Sequence, residues 1–427
     1  MEREENIEIH KIEVDEKTAE PVIVTVDPKT VNFSEDENNQ SKPETPVPEK
    51  IDKRQLTINS FISDPYDKTV SKRQKTLKIV LHIVFVVICA GILVLTAVND
   101  FLSGKTPPTW DVLSDVLGRC WFYAVFAIVA LFFCYFLKGF KLSMLCKYTT
   151  GKFHFKTCME TGVVGHYYNS VTPLAVGGQP FEIYHLSRHG VTGGTAAALP
   201  IATFFMNQVA MVTLALASAI LYTTNALGIP QNLLVFPTAL SVLMYIGIAG
   251  CLLIPGSVVL ISMFPKVGGA LIRFFIFLGA KLRIVKDRRL TTYRTLKNVV
   301  RNSYCLKKFA KNPFMLIATF LVSLGEQSAL CSIAYFSLRF FGFDIPEIGG
   351  FTEWLQITQL CMMLYAAVAI FPTPGNSGLA EISFYVLFEK GITMSGLSFA
   401  AVLFWRIMSY YSFVIIGFIF TTMKKKA

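Results

Sequence analysis

Six apolar runs, each long enough to cross a lipid bilayer as a helix, dominate this sequence of 427 residues. A helix needs about 20 apolar residues to span a hydrocarbon core about 30 Å thick. Only 16% of the residues are charged, whereas soluble domains carry about 25%. The sequence therefore predicts an all-α polytopic membrane protein and excludes a soluble enzyme or a collagen-like fibre. The predicted spans are 77–98, 120–137, 195–222, 233–264, 314–341 and 397–420.

The first 66 residues differ in composition from the rest of the chain. They contain sixteen Asp and Glu against eight Lys and Arg, a net charge of −8, although the whole chain carries +11. Such a segment buries too little apolar surface to offset the entropy lost on ordering. We therefore expect a disordered acidic tail at 1–66 and a basic membrane domain at 67–427.

The distribution of basic residues predicts the topology, because cytoplasmic loops are enriched in Lys and Arg. Residues 265–312 contain thirteen Lys and Arg, whereas 223–231 contain none. This rule places the basic loop 265–312 and both termini in the cytoplasm. It also assigns Lys138 and Lys141, which follow the second predicted span, to the cytoplasm. Nucleic-acid binding is a rival interpretation of the basic loop, but the topology rule already explains its charges, so no nucleic-acid partner is predicted.

Two further apolar segments, 157–186 and 352–388, are interrupted by Pro, Gly and polar residues. If each crossed the membrane once, the basic loop would lie outside the cell and violate the charge rule. Each segment is therefore predicted to enter and leave on one side, as a re-entrant hairpin or a pair of broken half-helices.

The interrupted segments resemble each other. Residues 171–184 read VTPLAVGGQPFEIY and residues 372–385 read PTPGNSGLAEISFY, so both contain Thr-Pro, then Gly, then Glu-Ile. This likeness predicts repeat halves at about 75–230 and 231–420 with inverted topology. Paired Gly/Pro interruptions mark binding sites near the bilayer midplane in transporters. Two kinked structural helices are the alternative interpretation.

Polar residues within the spans predict a hydrophilic cavity, because an ionisable group at the bilayer centre costs about 2.5–3.5 kcal/mol. Arg406 would neutralise a glutamate and could bind a lipid phosphate through its planar fork; a purely structural Arg–Glu pair is the alternative. The candidate cavity residues are Gly177, Gly178, Gln179, Pro180, Glu182, Glu326, Gln327, Gln356, Gln359, Pro374, Gly375, Gly378, Glu381 and Arg406.

Motifs that carry catalysis are not found in the sequence. We find no P-loop, no H-E-x-x-H, no G-x-S-x-G and no His/Cys metal-ligand spacing. The nine cysteines lie mostly in apolar runs and contain no C-x-x-C pair, which is typical of buried hydrophobic thiols. The sequence thus predicts no catalytic residue, no metal and no cofactor.

The two motif segments resemble the lysylphosphatidylglycerol synthase transmembrane-region family. This family includes the flippase-like half of the multiple peptide resistance factor and stand-alone bacterial members. The likeness covers roughly residues 75–420 and implies a multi-pass protein of the bacterial inner membrane that handles anionic or aminoacylated phospholipid. It identifies as family motif positions Gly177, Gly178, Gln179, Pro180, Pro374, Gly375, Gly378 and Glu381, and it places Arg406 at an arginine of the last span.

Three functions remain open on this basis. The first is a flippase that translocates phosphatidylglycerol or lysyl-phosphatidylglycerol. The second is phosphatidylglycerol lysyltransferase, which uses lysyl-tRNA, or its membrane subunit with a separate soluble synthase as partner. The family's full synthase has a soluble C-terminal domain, and this sequence ends at Ala427, so transferase activity is not expected of this chain alone. The third is a carrier of polyprenyl-phosphate lipids.

Overall fold

The computed structural model describes residues 9–14, 21–26, 110–172, 177–191, 193–230, 234–270, 273–274, 288–343, 350–388 and 397–423. The principal helices in these ranges are α1 (Trp110–Thr150), α2 (Phe155–Val171), α3 (Gly178–Arg188), α4 (Gly193–Thr223), α5 (Thr238–Met263), α6 (Arg288–Ala310), α7 (Pro313–Phe340), α8 (Phe351–Val368), α9 (Leu379–Phe388), α10 (Leu397–Arg406) and α11 (Ser412–Met423).

Within the described residues, five helical segments are long and apolar enough to cross a membrane, and each matches a predicted span. They are Cys120–Thr150, Gly193–Thr223, Thr238–Met263, Pro313–Phe340 and Leu397–Thr421. The last joins α10 to α11 through a π-helical segment, Ile407–Tyr411. The prediction of an all-α polytopic membrane protein is therefore confirmed, while the predicted first span, 77–98, lies outside the described residues.

The second span is longer than its sequence indicated. We expected it to end at residue 137, with Lys138 and Lys141 in a cytoplasmic loop, but α1 continues to Thr150 and both lysines lie within it. The assignment of these two residues to a loop is wrong. A lysine inside a span is tolerated when carboxylates of neighbouring helices pair with it, and the cytoplasmic location of this end of α1 stays a prediction.

Both interrupted segments are broken helices in the structure. The first consists of α2 and α3, which pack against each other on either side of residues 172–177. The second consists of α8 and α9, separated by residues 369–378. Pro and Gly interrupt the helical hydrogen-bond ladder at these points. The sides from which the segments enter the membrane stay a prediction.

The predicted basic loop 265–312 is not wholly a loop, because it contains helix α6, which packs against α4 and α5. Leu306 and Phe309 of α6 are buried among apolar residues of α4. Apolar positions at helical spacing therefore hold much of this basic segment against the spans. Residues 275–287 of the segment lie outside the described part of the chain.

Two short strands occur in the acidic tail that we predicted to be disordered. Strand β1 (Ile9–Val14) pairs antiparallel with β2 (Pro21–Val26), and Ile9 lies opposite Val26. Isoleucine and valine give both segments strong strand propensity, and the disorder predicted for 1–66 stays a prediction. The other residues of 1–66 lie outside the described ranges.

Close approach of helices around α1 shapes the centre of the fold. Helix α1 packs along α7 and also crosses α2. At the second crossing a side chain at Gly162 would press on the backbone of Gly139. Small residues allow membrane helices to approach in this way, and the contact holds α1 beside the first interrupted segment.

Candidate functional site

A cavity of about 270 Å³ lies between the two interrupted segments. Asn169 and Gln179 flank the first break and line the cavity from one side, and Gly375 and Asn376 line it from the second break. Helices α1, α4 and α7 and the π-helical segment supply other parts of the wall. The structure therefore brings the two breaks, which are distant in sequence, to one polar space.

The first of three buried ion pairs in this region joins α1 to α7. Lys141 Nζ lies 2.8 Å from Glu326 Oε2 and also donates to Ser323 Oγ at 2.9 Å and Asn207 Oδ1 at 3.2 Å. Only 2% of Lys141 and 7% of Glu326 is exposed. The ammonium group thus has a partner for each of its three hydrogens, which makes its burial tolerable.

The second ion pair connects α1 to the first interrupted segment. Lys138 Nζ lies 3.0 Å from Glu182 Oε1, and both side chains are largely buried. A side chain at Gly165 would meet both the carboxylate and the ammonium group. Gly165 is therefore required for this contact, and the sequence places glycine where the ion pair needs room.

The third ion pair holds the second interrupted segment against the last span. Arg406 Nε donates to Glu381 Oε1 at 2.7 Å, and Arg406 Nη2 donates to the carbonyl oxygen of Gly375 at 3.2 Å. The other oxygen of Glu381 accepts the backbone N–H of Gly378 at 2.6 Å. Arg406 lines the cavity and is only 3% exposed, so its guanidinium group joins the cavity wall to the break.

The two predicted repeat halves differ in where the cation that pairs with the motif glutamate lies. Arg406 follows Glu381 by 25 residues, and Asn207 stands at the same separation after Glu182. Asparagine carries no charge, and the cation that pairs with Glu182 is instead Lys138 of α1. Asn207 instead accepts from Lys141. The equivalent positions therefore both face the cavity, with a cation in one half and an amide in the other.

Side chains occupy the first backbone donors at both breaks. The N–H of Gly177 donates to Thr172 Oγ1 at 3.0 Å, and that of Gly178 donates to Asn169 Oδ1 at 2.8 Å. At the second break Glu381 fills the same role for Gly378. These three amides are satisfied within the protein and are therefore not available to bind a ligand's charge.

A tyrosine in the π-helical segment contacts both breaks. Tyr410 packs on Gly375 and donates from its hydroxyl to the carbonyl oxygen of Ser170 at 3.2 Å. π-helical turns are frequent at functional sites. Gly375 has φ of +58°, a conformation that other residues adopt at a cost. Both its backbone and its contact with Tyr410 therefore require glycine.

We expect Gly375→Ala to destabilise the folded protein by about 1–3 kcal/mol, because the new methyl group meets the Tyr410 ring. Gly228→Ala is the matched control, since Gly228 has φ of +62° but open space around it. Thermal unfolding in detergent micelles would compare the two. Equal loss of stability in both variants would show that the backbone conformation alone, and not the Tyr410 contact, matters at Gly375.

The structure gathers some of the predicted site residues at the cavity and leaves others outside its wall. Helix α8 carries Gln356, which donates to the carbonyl oxygen of Leu227 at 2.7 Å, and Gln359, which is buried elsewhere. Glu381 and Gly378 lie directly behind Arg406. The predicted residues that line the cavity are Gln179, Glu182, Glu326, Gln327, Gly375 and Arg406, and those that do not are Gly177, Gly178, Pro180, Gln356, Gln359, Pro374, Gly378 and Glu381.

Lys138 and Lys141 are the cavity residues that sequence reasoning placed elsewhere. A signal for them exists in the sequence. The apolar pattern resumes after Lys141, with Leu142, Leu145 and Cys146 all buried in the structure. Two lysines three residues apart, with apolar sequence on both sides, indicate one polar face on a continuing helix.

Comparisons with known proteins agree with this architecture. The family described as "Lysylphosphatidylglycerol synthase TM region" matches residues 79–417. A curated relative, a "UPF0104 membrane protein" of Archaeoglobus fulgidus, is 24% identical over 333 residues, which cover 77% of this chain and 94% of that protein. No solved structure matches significantly. Because the match extends over most of the sequence, with four of the described spans and most of the fifth, this multi-pass membrane protein belongs to the lysylphosphatidylglycerol synthase transmembrane-region family.

Proposed function

We propose that this protein translocates a phospholipid whose head group carries a phosphate, such as phosphatidylglycerol or its lysyl ester, across the membrane. The observation that supports this most directly is the cavity, in which three buried Lys/Arg–Glu pairs surround the meeting point of two broken helices. Buried ionisable groups in spans are costly and usually serve a substrate path.

The size of the cavity favours a head group over a whole lipid. Its volume of about 270 Å³ lies near the lower end of small-molecule sites, which begin at about 300 Å³. The acyl chains would stay in the surrounding bilayer while the polar part passes through the protein. Arg406 would bind the phosphate, since guanidinium offers paired donors to two phosphate oxygens.

The charge balance favours a head group that carries both signs. Each cation of the cavity already pairs with a carboxylate, so a phosphate alone has to displace a bound carboxylate and leave it buried without a cation. In lysyl-phosphatidylglycerol, the phosphate can pair with the cation of the cavity, and the ammonium group of the lysyl ester can pair with the carboxylate that the phosphate displaces. We therefore expect lysyl-phosphatidylglycerol to be a better substrate than phosphatidylglycerol.

The family name raises a second function, transfer of lysine from lysyl-tRNA to phosphatidylglycerol. Nothing in the described ranges of the chain favours it over transport. We also propose a bacterial cell membrane as the location, as the family resemblance implies, with the basic segment 265–312 and both termini on the cytoplasmic side, as the charge rule predicts.

Reconstituted vesicles test the proposal. The protein is placed in vesicles that contain trace lipid with a reducible fluorophore on one acyl chain, so that each head group stays intact. A reductant that does not cross the bilayer is added outside the vesicles, so a labelled lipid of the inner leaflet loses its fluorescence only after translocation. We expect rapid loss of inner-leaflet fluorescence for lysyl-phosphatidylglycerol, slower loss for phosphatidylglycerol and little for phosphatidylcholine. Rates equal to those of protein-free vesicles would refute transport. Incorporation of radiolabelled lysine from lysyl-tRNA by this chain alone would support the transferase instead.

A further inference from the structure

A cluster of two histidines and a glutamate lies at the ends of α2 and α3 that are remote from the first break. Its members are Glu160 of α2, His185 in the last turn of α3, and His189 directly after that helix. One ligand atom from each lies within 4.8 Å of the others. Helices α2 and α3 meet here, so the cluster lies between the two arms of the first interrupted segment.

Hydrogen bonds fix which nitrogen of His185 carries the proton. The hydroxyl of Thr161 donates its single hydrogen to the carbonyl oxygen of Thr157 at 2.7 Å. Thr161 Oγ1 can therefore only accept from His185 Nδ1, which lies 2.9 Å away. In the neutral ring, Nε2 then carries the lone pair, and this nitrogen lies 3.9 Å from Glu160 Oε2.

The same reasoning applies to His189. Its Nδ1 lies 2.7 Å from the backbone carbonyl oxygen of His185, which can only accept a hydrogen bond. Nδ1 of His189 therefore carries the hydrogen, and Nε2 carries the lone pair. Metal-binding histidines typically donate one ring N–H to a carbonyl or a polar side chain in this way, which orients the other nitrogen toward the ion.

We propose that Glu160, His185 and His189 bind a divalent transition metal ion, with zinc as the best fit, and that the ion clamps α2 to α3. Two imidazole nitrogens and one carboxylate form a known zinc ligand set that leaves a fourth position for water. Ligand atoms around tetrahedral zinc lie about 3.3 Å apart, since each stands about 2.0–2.1 Å from the ion. The ligand atoms now lie within 4.8 Å of one another, so the side chains have to move closer together to bind the ion.

Such a clamp would act on the cavity from a distance. His185 lies one turn after Glu182 on α3, and Glu182 forms the ion pair with Lys138. Binding of the metal would restrict the movement of α3 relative to α2 and thereby hold this carboxylate in place. The inference does not depend on the identity of the transported lipid.

The sequence carried a partial signal for this site. His185 and His189 are four residues apart, a spacing that puts two ligands on one helix face, but α3 ends between them and the third ligand comes from another helix. Because Glu160 is distant from both histidines in the chain, the local spacing of residues does not reveal the site.

Metal titration of the full-length protein tests the site. The protein is purified in nanodiscs through a tag without histidine, treated with chelator, and titrated with Zn²⁺ and with Co²⁺. We expect one tightly bound Zn²⁺ per chain, a visible absorption spectrum typical of tetrahedral Co²⁺, and a rise in the unfolding temperature on adding Zn²⁺.

Two variants make the result decisive. His189→Ala alters an exposed side chain and is expected to weaken Zn²⁺ binding at least about tenfold and to abolish most of the rise in unfolding temperature. The matched control replaces His10, His82 and His154 with alanine and is expected to bind Zn²⁺ as the parent does. Binding that is unchanged in His189→Ala, or lost in the control, would overturn the proposal. Absence of Zn²⁺ binding in the parent would leave only a His185–Glu160 ion pair and would overturn it equally.

Discussion

Lys141→Met is expected to destabilise the folded protein by about 3–5 kcal/mol, the usual consequence of removing one partner of a buried ion pair. The variant would leave Glu326 buried between α1 and α7 without its cation, and Ser323 and Asn207 without their donor. Unfolding in mixed micelles, followed by tryptophan fluorescence, measures the loss.

Two further variants identify the cause of that loss. Lys147→Met removes a lysine from the same helix where it is exposed, and we expect a change within about 0.5 kcal/mol. The double variant Lys141→Met with Glu326→Met removes both charges and should recover most of the lost stability, since apolar replacements of buried pairs are often nearly neutral. A Lys141→Met variant as stable as Lys147→Met would contradict the assignment of Lys141 to a buried ion pair.

Replacing Arg406 and Glu381 together by glutamine is expected to lower lipid translocation at least about tenfold, while the protein stays folded. The double change removes the guanidinium group that lines the cavity but leaves no unpaired charge behind. A hydrogen bond to a charged group contributes about 1.5–3 kcal/mol, and about 1.4 kcal/mol corresponds to a tenfold change in rate. Acyl-labelled lysyl-phosphatidylglycerol in vesicles gives the rate.

The chain offers a matched control for this second prediction. Arg339 and Glu353 also form an Arg–Glu pair, with 3.3 Å between Nη1 and Oε1, but neither residue lines the cavity. Glutamine at both of these positions should leave translocation unchanged. If the two double variants transport lipid equally well, Arg406 acts only in holding helices together, which is the structural alternative that the sequence left open.

The fold could be predicted well from sequence because bilayer thickness and the need to satisfy backbone hydrogen bonds restrict what apolar segments can do. The five described spans and the two breaks follow from these rules. The ion pairs follow from them less directly. Arg406 stands out as a charge in an apolar run, whereas Lys138 was assigned to a loop because a lysine after an apolar run is also typical of a cytoplasmic end.

Partner choice depends on tertiary contacts that no local pattern contains. Glu182 and Glu381 occupy similar motif positions, yet one pairs with an earlier helix and the other with a later one. Gln356 and Gln359 show the reverse problem, since the sequence predicts both as cavity residues and the structure places them outside the cavity wall. The spacing of two residues along a helix predicts whether they lie on the same face, but it does not predict which part of the protein that face contacts.

The hydroxyl of Tyr410 has a mechanical consequence for any transport cycle. Its hydrogen bond to the carbonyl oxygen of Ser170 joins the last span to the end of α2, and so connects the two predicted repeat halves. Exposing the head-group site alternately to the two leaflets requires these halves to rock against each other. This movement has to break the hydrogen bond between Tyr410 and Ser170. Breaking it therefore contributes to the energy barrier between the two orientations of the protein.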